Sequence, residues 1–282
     1  MKDTAAIPGM RMKGNKIQIR TPESTNKALN ITLFVLAALT IFTFVQMDYR
    51  NLDFLEASYF ALRDFGMMMF SPSLKAGHFG WDTIVYETFK TIGLAILSTV
   101  FSAIISFFLG LAGALNFSNK TLSTLCKSLM SLIRAIPTIL WVLVFTVAIG
   151  LGSEAAIVGI SFHSIAYLTK AFSESFEEID EGTIEALKAS GASYWQIVFQ
   201  CALPETISKL LSWTFIRFEI NFTNAVAVGA VAGAGGIGYQ LFQAGSFYYS
   251  IQEVGVIVYA CLIVAFMLEF ISIQLRKRYI VQ

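Results

Sequence analysis

Six stretches of this chain are each long and apolar enough to cross a bilayer, and that limits the architecture before any motif is read. A hydrocarbon core about 30 Å thick is spanned by roughly 20 helical residues, because backbone groups left unpaired in lipid are costly and a helix pairs them internally. By that ruler the spans fall at 29–47, 92–115, 129–151, 155–172, 210–228 and 254–275. The second is entered through an amphipathic stretch that begins at Trp81, while 229–250 is too rich in glycine for a plain spanning helix and reads as a re-entrant or short outer-side segment. The expected fold class is therefore an all-α membrane protein of about six transmembrane helices.

Composition supports this reading and removes other classes. Of 282 residues, 56% are hydrophobic and only 14% charged, with a mean hydropathy of +0.66, so much of the surface must be solvated by lipid. A net charge of +1 offers no basic face for a nucleic acid. Cys126, Cys201 and Cys261 are too dispersed for a disulfide framework or a zinc site, and no bound metal or cofactor is expected. The first apolar run follows a long basic leader without a small-residue cleavage site, which reads as a retained span rather than a signal peptide.

Orientation follows from the basic residues at the ends of the spans, which are held on the cytoplasmic side. Lys2, Arg11, Lys13, Lys16, Arg20 and Lys27 precede the first span, and Arg276, Lys277 and Arg278 follow the last. Six crossings put both termini inside, the segment 48–80 outside and the loop 173–209 in the cytoplasm. The chain then divides into a basic cytoplasmic N-terminal segment (1–28), a first helix with its external segment (29–80), a permease-like core (81–275) and a short cytoplasmic tail (276–282).

The cytoplasmic loop carries the most pointed pattern. A short helix over 183–189, a glycine at Gly191 for close approach or a tight turn, and a second helix stopped by Pro204 make a compact helix-turn-helix. Residue physics alone leaves two readings open, a projection that docks another protein and an amphipathic connector on the membrane surface. Glu185, Ala186, Gly191, Leu203 and Pro204 stand at the spacing of the signature loop of ABC-importer permeases, which this segment resembles. Leu187 replaces that signature's second alanine and Cys201 its isoleucine.

The strings Arg134-Ala-Ile-Pro-Thr138, His163-Ser-Ile165, Glu177-Glu-Ile-Asp180, Arg217-Phe-Glu-Ile-Asn221 and Gly233-Ala-Gly-Gly-Ile-Gly238 narrow the likeness: together, across roughly 85–275, the chain resembles phosphonate-importer permeases. The resemblance implies a non-catalytic, multi-pass subunit of the bacterial inner or plasma membrane whose loop inserts into a cytoplasmic ATPase. It also implies two permease copies, or this chain with a close relative, two ATPases holding ATP and Mg, and an extracytoplasmic substrate-binding protein. No GxxxxGK[ST] string occurs in the sequence, so the ATPase is expected on a separate subunit.

Ionisable groups inside spans cost about 2.5–3.5 kcal/mol on insertion scales and are functional candidates by default. Spacing of i, i+4, i+7 puts residues on one helical face. It joins Arg134, Thr138 and Trp141; His163, Tyr167 and Lys170; and Arg217, Asn221 and Asn224. Cationic and amide donors suit a small oxyanion, so these stripes and Glu219 are candidates to line a translocation path. Quieter roles fit as well: Arg134 and Lys170 close enough to the cytoplasmic ends to snorkel, His163 bonded to a neighbouring helix, Glu219 paired with Arg134 or Lys170, and the asparagines acting as interhelical glue.

Gly233, Gly235 and Gly238 spell GxGxxG, but a membrane span rather than a β-strand precedes them, so the run, with Gly236, reads as packing or gating and not as a dinucleotide site. Pro137 is expected to kink the third span. An ABC permease for another small polar solute, an ion-coupled carrier using Arg217, Glu219 and His163 as a relay, and a membrane-embedded enzyme are the competing readings. Neither the internal repeat common in carriers nor a nucleophile-base spacing is evident.

Overall fold

The computed structural model describes residues 10–13, 16–19, 23–46 and 53–280, and the chain separates into two units, 1–61 and 62–282. Lys2, Arg20, Met47 and the start of the predicted external segment lie outside the described residues, as do the side chains of Arg276 and Arg278. In the first unit an antiparallel hairpin pairs β1 (Met10–Lys13) with β2 (Lys16–Ile19), an addition to the expected all-helical plan. Helix α1 (Glu23–Gln46) follows, apolar on every side through the first predicted span. Helix α2 (Phe54–Phe70) begins in this unit, with the Asp53 carboxylate accepting from the Leu55 and Glu56 N–H groups as its cap. The sequence reading took α2 as part of an external segment without assigning it a helix.

The second unit is built around α3 (Trp81–Gly113) and α6 (Ser153–Glu177), with α9 (Leu203–Ala232) against both. At 1.5 Å per residue α3 is about 50 Å long, so the amphipathic approach from Trp81 and the second predicted span are one helix. Its inward stripe is made of small residues. Ser102 Oγ donates to the Ser161 carbonyl at 3.1 Å, Ser106 Oγ to the Ile165 carbonyl at 3.0 Å, and Ser161 Oγ to the Ser98 carbonyl at 3.3 Å. A Cβ on Gly110 would sit 2.8 Å from that of Phe172, so the glycine permits the close approach. Outward, Phe89, Phe101 and Ile104 on α3 and Ile263, Phe266 and Phe270 on α11 (Ile251–Ile280) are exposed. Small and polar groups inside with large apolar groups outside is the arrangement expected of helices solvated by lipid.

Among the described residues four helices are long and apolar enough to cross a membrane, and up to six spans result if each of two bent pairs counts as one. The first bent pair corrects the third predicted span. Residues 129–151 do not form one kinked helix: α4 (Lys120–Ala135) and α5 (Thr138–Ile149) meet at 89°. Pro137 has no N–H to give the Ile133 carbonyl, and the Trp141 indole Nε1–H supplies that bond instead, at 2.9 Å. The break is wide because α4 is itself amphipathic, with Ser123, Cys126, Met130 and Ile133 buried and Leu122, Leu125, Leu129 and Leu132 exposed.

The second correction concerns Pro204, which does not stop the helix before it. The segment runs from α8 (Tyr194–Ile197) through a π-helical turn (Val198–Ala202) directly into α9, with Pro204 in the first turn of α9. A wider turn just ahead of the proline removes the clash its ring would make with the preceding carbonyls, so one helix runs from the loop into the bundle.

Candidate functional site

Midway along the bundle, α6 and α9 bury a guanidinium. Arg217 is 2% exposed; its Nε donates to Ser164 Oγ at 2.9 Å, an Nη lies 3.0 Å from His163 Nδ1, and its Cζ stands 5.1 Å from the centre of the Tyr167 ring. Ser164 Oγ in turn donates to Asn221 Oδ1 at 2.8 Å, and Asn221 Nδ2 donates to Thr99 Oγ1 at 2.9 Å, carrying the network onto α3. Three helices are thereby joined through one layer of side chains. Among the described residues no carboxylate pairs with Arg217, so its charge is met by a hydroxyl, an imidazole and an aromatic face.

The predicted stripes therefore survive in part. His163, Tyr167, Arg217 and Asn221 are brought together, and their spacing on α6 and α9 is the reason. Arg134, Thr138 and Trp141 do not share one face, because the break at Pro137 divides them: Arg134 ends α4, while Trp141 turns to the Ile133 carbonyl and packs on Phe162 with ring centres 4.6 Å apart. Lys170 faces Glu174 at 3.5 Å near the α7 end of α6, seven residues beyond His163. Glu219 is half-buried and has no ion pair with Arg134 or Lys170 among the described residues, and Asn224 is half-buried. Ser164 and Thr99 were not singled out from sequence. Their signal was available, since Ser164 follows His163 directly, but one hydroxyl in an apolar helix is common.

At the α7 end lies the loop that the sequence likened to a docking element. Asp180 caps α7 (Glu181–Ala189), its Oδ2 accepting from the Thr183 N–H at 2.9 Å. The helix closes in a Schellman turn, with Gly191 N–H donating to the Lys188 carbonyl at 3.0 Å and Ala192 N–H to that of Leu187 at 3.1 Å. Gly191 adopts φ +87°, the left-handed region, while a Cβ there would meet nothing within 4 Å. Of the two reasons foreseen for this glycine, the tight turn applies and close approach within the chain does not. Ser193 and Gln196 then form a capping box that starts α8.

Ile184, Ile197, Val198 and Ala202 bury themselves against Leu111 of α3 and Leu168, Phe172 and Phe176 of α6, with Leu187 and Leu203 alongside. Glu185, Ala186, Lys188 and Gly191 remain on the outside, and Pro204 is exposed. Burial raises the Tyr194 phenol above its ordinary value, and burial followed by the Glu205 carboxylate does the same for the Cys201 thiol, so both are neutral near pH 7. Glu177 Oε1 takes Lys127 Nζ at 2.7 Å and the Leu115 N–H at 2.8 Å, while Glu178 pairs with Lys209 at 2.5 Å. The acidic string thus ties the ends of α3 and α6 to the middle of α4 and the start of α9.

At the other end, Gly233 (φ +60°) terminates α9, and α10 (Gly236–Phe242) turns back at 50° before a π-helical turn (Gln243–Phe247). Gly238 lies against the Val226 carbonyl, closer than any side chain would allow. The Gly236 N–H donates to Glu87 Oε2 at 2.7 Å and the Ile237 N–H to Thr91 Oγ1 at 2.9 Å, and Gly235 sits beside Lys90. Packing, rather than a phosphate cradle, accounts for the run. One polar pair here had no sequence signal: the fully buried Glu253 carboxylate bonds His78 Nδ1 at 2.8 Å and the His78 N–H at 3.1 Å, joining positions 175 residues apart.

A family profile described as "Binding-protein-dependent transport system inner membrane component" matches residues 106–278. The chain is 28% identical over 190 residues to the "Phosphate-import permease protein PhnE" of Mycolicibacterium smegmatis, the alignment spanning 67% of this chain and 35% of that one. It is 27% identical over 202 residues to the "Phosphite transport system permease protein PtxC" of Stutzerimonas stutzeri, spanning 71% and 72% of the two chains. In fold it is similar to a chain of the MetNI methionine ABC transporter in an inward-facing crystal form, with a TM-score of 0.64 over 71% of this chain and 97% of the other at 23% identity.

Proposed function

Because the chain belongs to the family of binding-protein-dependent transport system inner membrane components, we propose that it forms the membrane path of an ATP-binding-cassette importer for a phosphonate or related small phosphorus oxyanion. The observation that carries the solute class is Arg217, a cation 2% exposed and matched, among the described residues, by neutral partners alone. A buried charge without a counter-ion is costly, and an incoming anion relieves that cost by charge-assisted hydrogen bonds to the guanidinium. The named relatives, for phosphate import and phosphite transport, support the same class.

The loop supplies the drive. Glu185, Ala186 and Gly191 present the contact to a separate ATPase that holds ATP and Mg, and Leu203 and Pro204 open the helix that leads inward. From Pro204 to Arg217 along α9 is about 20 Å at 1.5 Å per residue. A push on α7 is shared with α3 and α6 through the Ile184 cluster and with the Arg217 layer through α9. A second permease copy or close relative completes the path, an extracytoplasmic binding protein delivers the solute, and both termini face the cytoplasm, as the basic residues at the chain ends direct. The chain itself performs no chemistry.

The test is uptake of methylphosphonate by the complex reconstituted with its ATPase and binding protein. Arg217→Gln should lower uptake by about tenfold or more, in keeping with the loss of a charged hydrogen bond, while the subunits still co-purify. Wild-type uptake by that variant would overturn the oxyanion role, and uptake that follows an ion gradient without ATP would return the chain to the carrier reading.

A further inference from the structure

Helix α4 holds Lys120, Lys127 and Arg134 at intervals of seven residues, which puts them on one face. The last two face α6 across a cleft of about 280 Å³, lined by Lys127, Ser131, Arg134, Thr169 and Lys170 together with the carboxylates of Glu174 and Glu177. We propose that this cleft is a second anion site, at which Arg134 and Thr169 bind a phosphate-type group on the α7 side of the Arg217 layer. The proposal rests on the cleft's own donors and not on which solute crosses at Arg217.

Two buried donors in the cleft lack partners among the described residues. Thr169 is 2% exposed and its Oγ1 has no hydrogen bond; Arg134 Nε is buried and equally unpaired. A buried hydroxyl on a helix normally donates to the carbonyl four residues earlier, but at Thr169 that acceptor, the Ile165 carbonyl, already takes Ser106 Oγ at 3.0 Å. An unpaired buried donor is costly, and two facing one cleft are best explained by a ligand that accepts from both.

Charge selects the ligand. Lys127 is paired with Glu177 at 2.7 Å and Lys170 with Glu174 at 3.5 Å, which leaves Arg134 as the lining cation without a carboxylate among the described residues. Both pairs are partly exposed, and such pairs hold their lysines weakly, so either lysine can turn to an arriving oxyanion. The two carboxylates disfavour a large or highly charged ligand. A guanidinium fork, a hydroxyl and two movable ammonium groups match the oxygens of a phosphate, phosphonate or phosphate ester. Thr169 stands six residues beyond His163, about 9 Å further along α6, so the cleft adjoins the buried layer on its α7 side, and Arg134, whose backbone bonds His163, stands between the two.

Thiol labelling of Ser131→Cys in the assembled complex, embedded in nanodiscs, tests the site, with the complex lacking that cysteine as background. In phosphatidylcholine discs, inorganic phosphate should protect Cys-substituted position 131 from a charged thiol reagent where chloride of equal ionic strength does not. Adding Thr169→Val should weaken the apparent phosphate affinity by about tenfold, and Arg134→Lys, which keeps the charge but loses Nε, should do likewise. Slow labelling in phosphatidylglycerol discs without phosphate, relieved by Thr169→Val, would identify a lipid headgroup as the source of the same chemistry. No protection by either, protection equalled by chloride, or protection unchanged in both added variants overturns the proposal. Because labelling needs neither ATP nor uptake, failure of the transport reading and failure of this site are distinguishable.

Discussion

The Arg217 layer and the α7 elbow handle polar residues in opposite ways. In the layer, polar side chains from α3, α6 and α9 turn towards one another, and Asn221 and Ser164 spend their groups on neighbours within the chain. In the elbow the backbone is closed by local caps, at Asp180, at the Schellman turn and at the Ser193–Gln196 box, and this leaves Glu185, Ala186 and Lys188 facing outward. One region uses polarity to hold helices together where water is scarce; the other uses apolar burial to hold a polar face out. The difference teaches that a polar residue's role follows from what satisfies its neighbours.

If apolar burial holds the elbow, the largest effect should come from its hidden side. Ile184 is 2% exposed within the cluster that joins α7 to α3 and α6. Ile184→Ala removes buried atoms and leaves a cavity, costing about 2–5 kcal/mol locally. Limited proteolysis should then cut the 178–205 segment faster, and stimulation of the partner ATPase should fall together with loop protection. A variant as resistant as the parent would show that the elbow is held by something other than this cluster.

The layer should be more forgiving of a single loss. Asn221→Leu removes the link between Ser164 and Thr99, yet both hydroxyls also have carbonyl partners four residues earlier, Ile160 at 2.7 Å and Ala95 at 2.6 Å. The expected cost in thermal stability is therefore about 0.6–1.7 kcal/mol, the range for interhelical hydrogen bonds in membranes. A larger drop would mean that Asn221 also positions Arg217 through Ser164, and uptake measured beside stability separates the two.

These two regions were legible in the sequence to different depths. Apolar length revealed the spans because lipid imposes it on each helix separately. Helix packing brought His163, Tyr167, Arg217 and Asn221 to one layer. The i, i+4, i+7 rule had put His163 with Tyr167 and Arg217 with Asn221 on one face because it is local to a straight helix. It failed for Arg134, Thr138 and Trp141, where Pro137 breaks the helix and the rule has no axis to act along. Pro204 misled in the other direction: a proline early in a helix is harmless, and the π-helical turn ahead of it could not be foreseen from propensity. The His78–Glu253 contact and the unpaired Thr169 depend on which helices become neighbours, information absent from any one segment.

The smallest effect on stability should come from Glu185, and it is the sharpest test of the comparison. Its side chain is exposed and makes no hydrogen bond or ion pair among the described residues, so Glu185→Ala should change stability by no more than about 0.5 kcal/mol. Neighbouring Ile184 lies one residue away, about 100° round the same short helix, and is buried where Glu185 is exposed. If the outward face exists to meet an ATPase, Glu185→Ala should nevertheless reduce solute-stimulated ATP hydrolysis in the reconstituted complex while proteolytic protection stays at the parent level. Equal hydrolysis in parent and variant would leave the elbow as a structural connector, since nothing among the described residues calls for a carboxylate at that position.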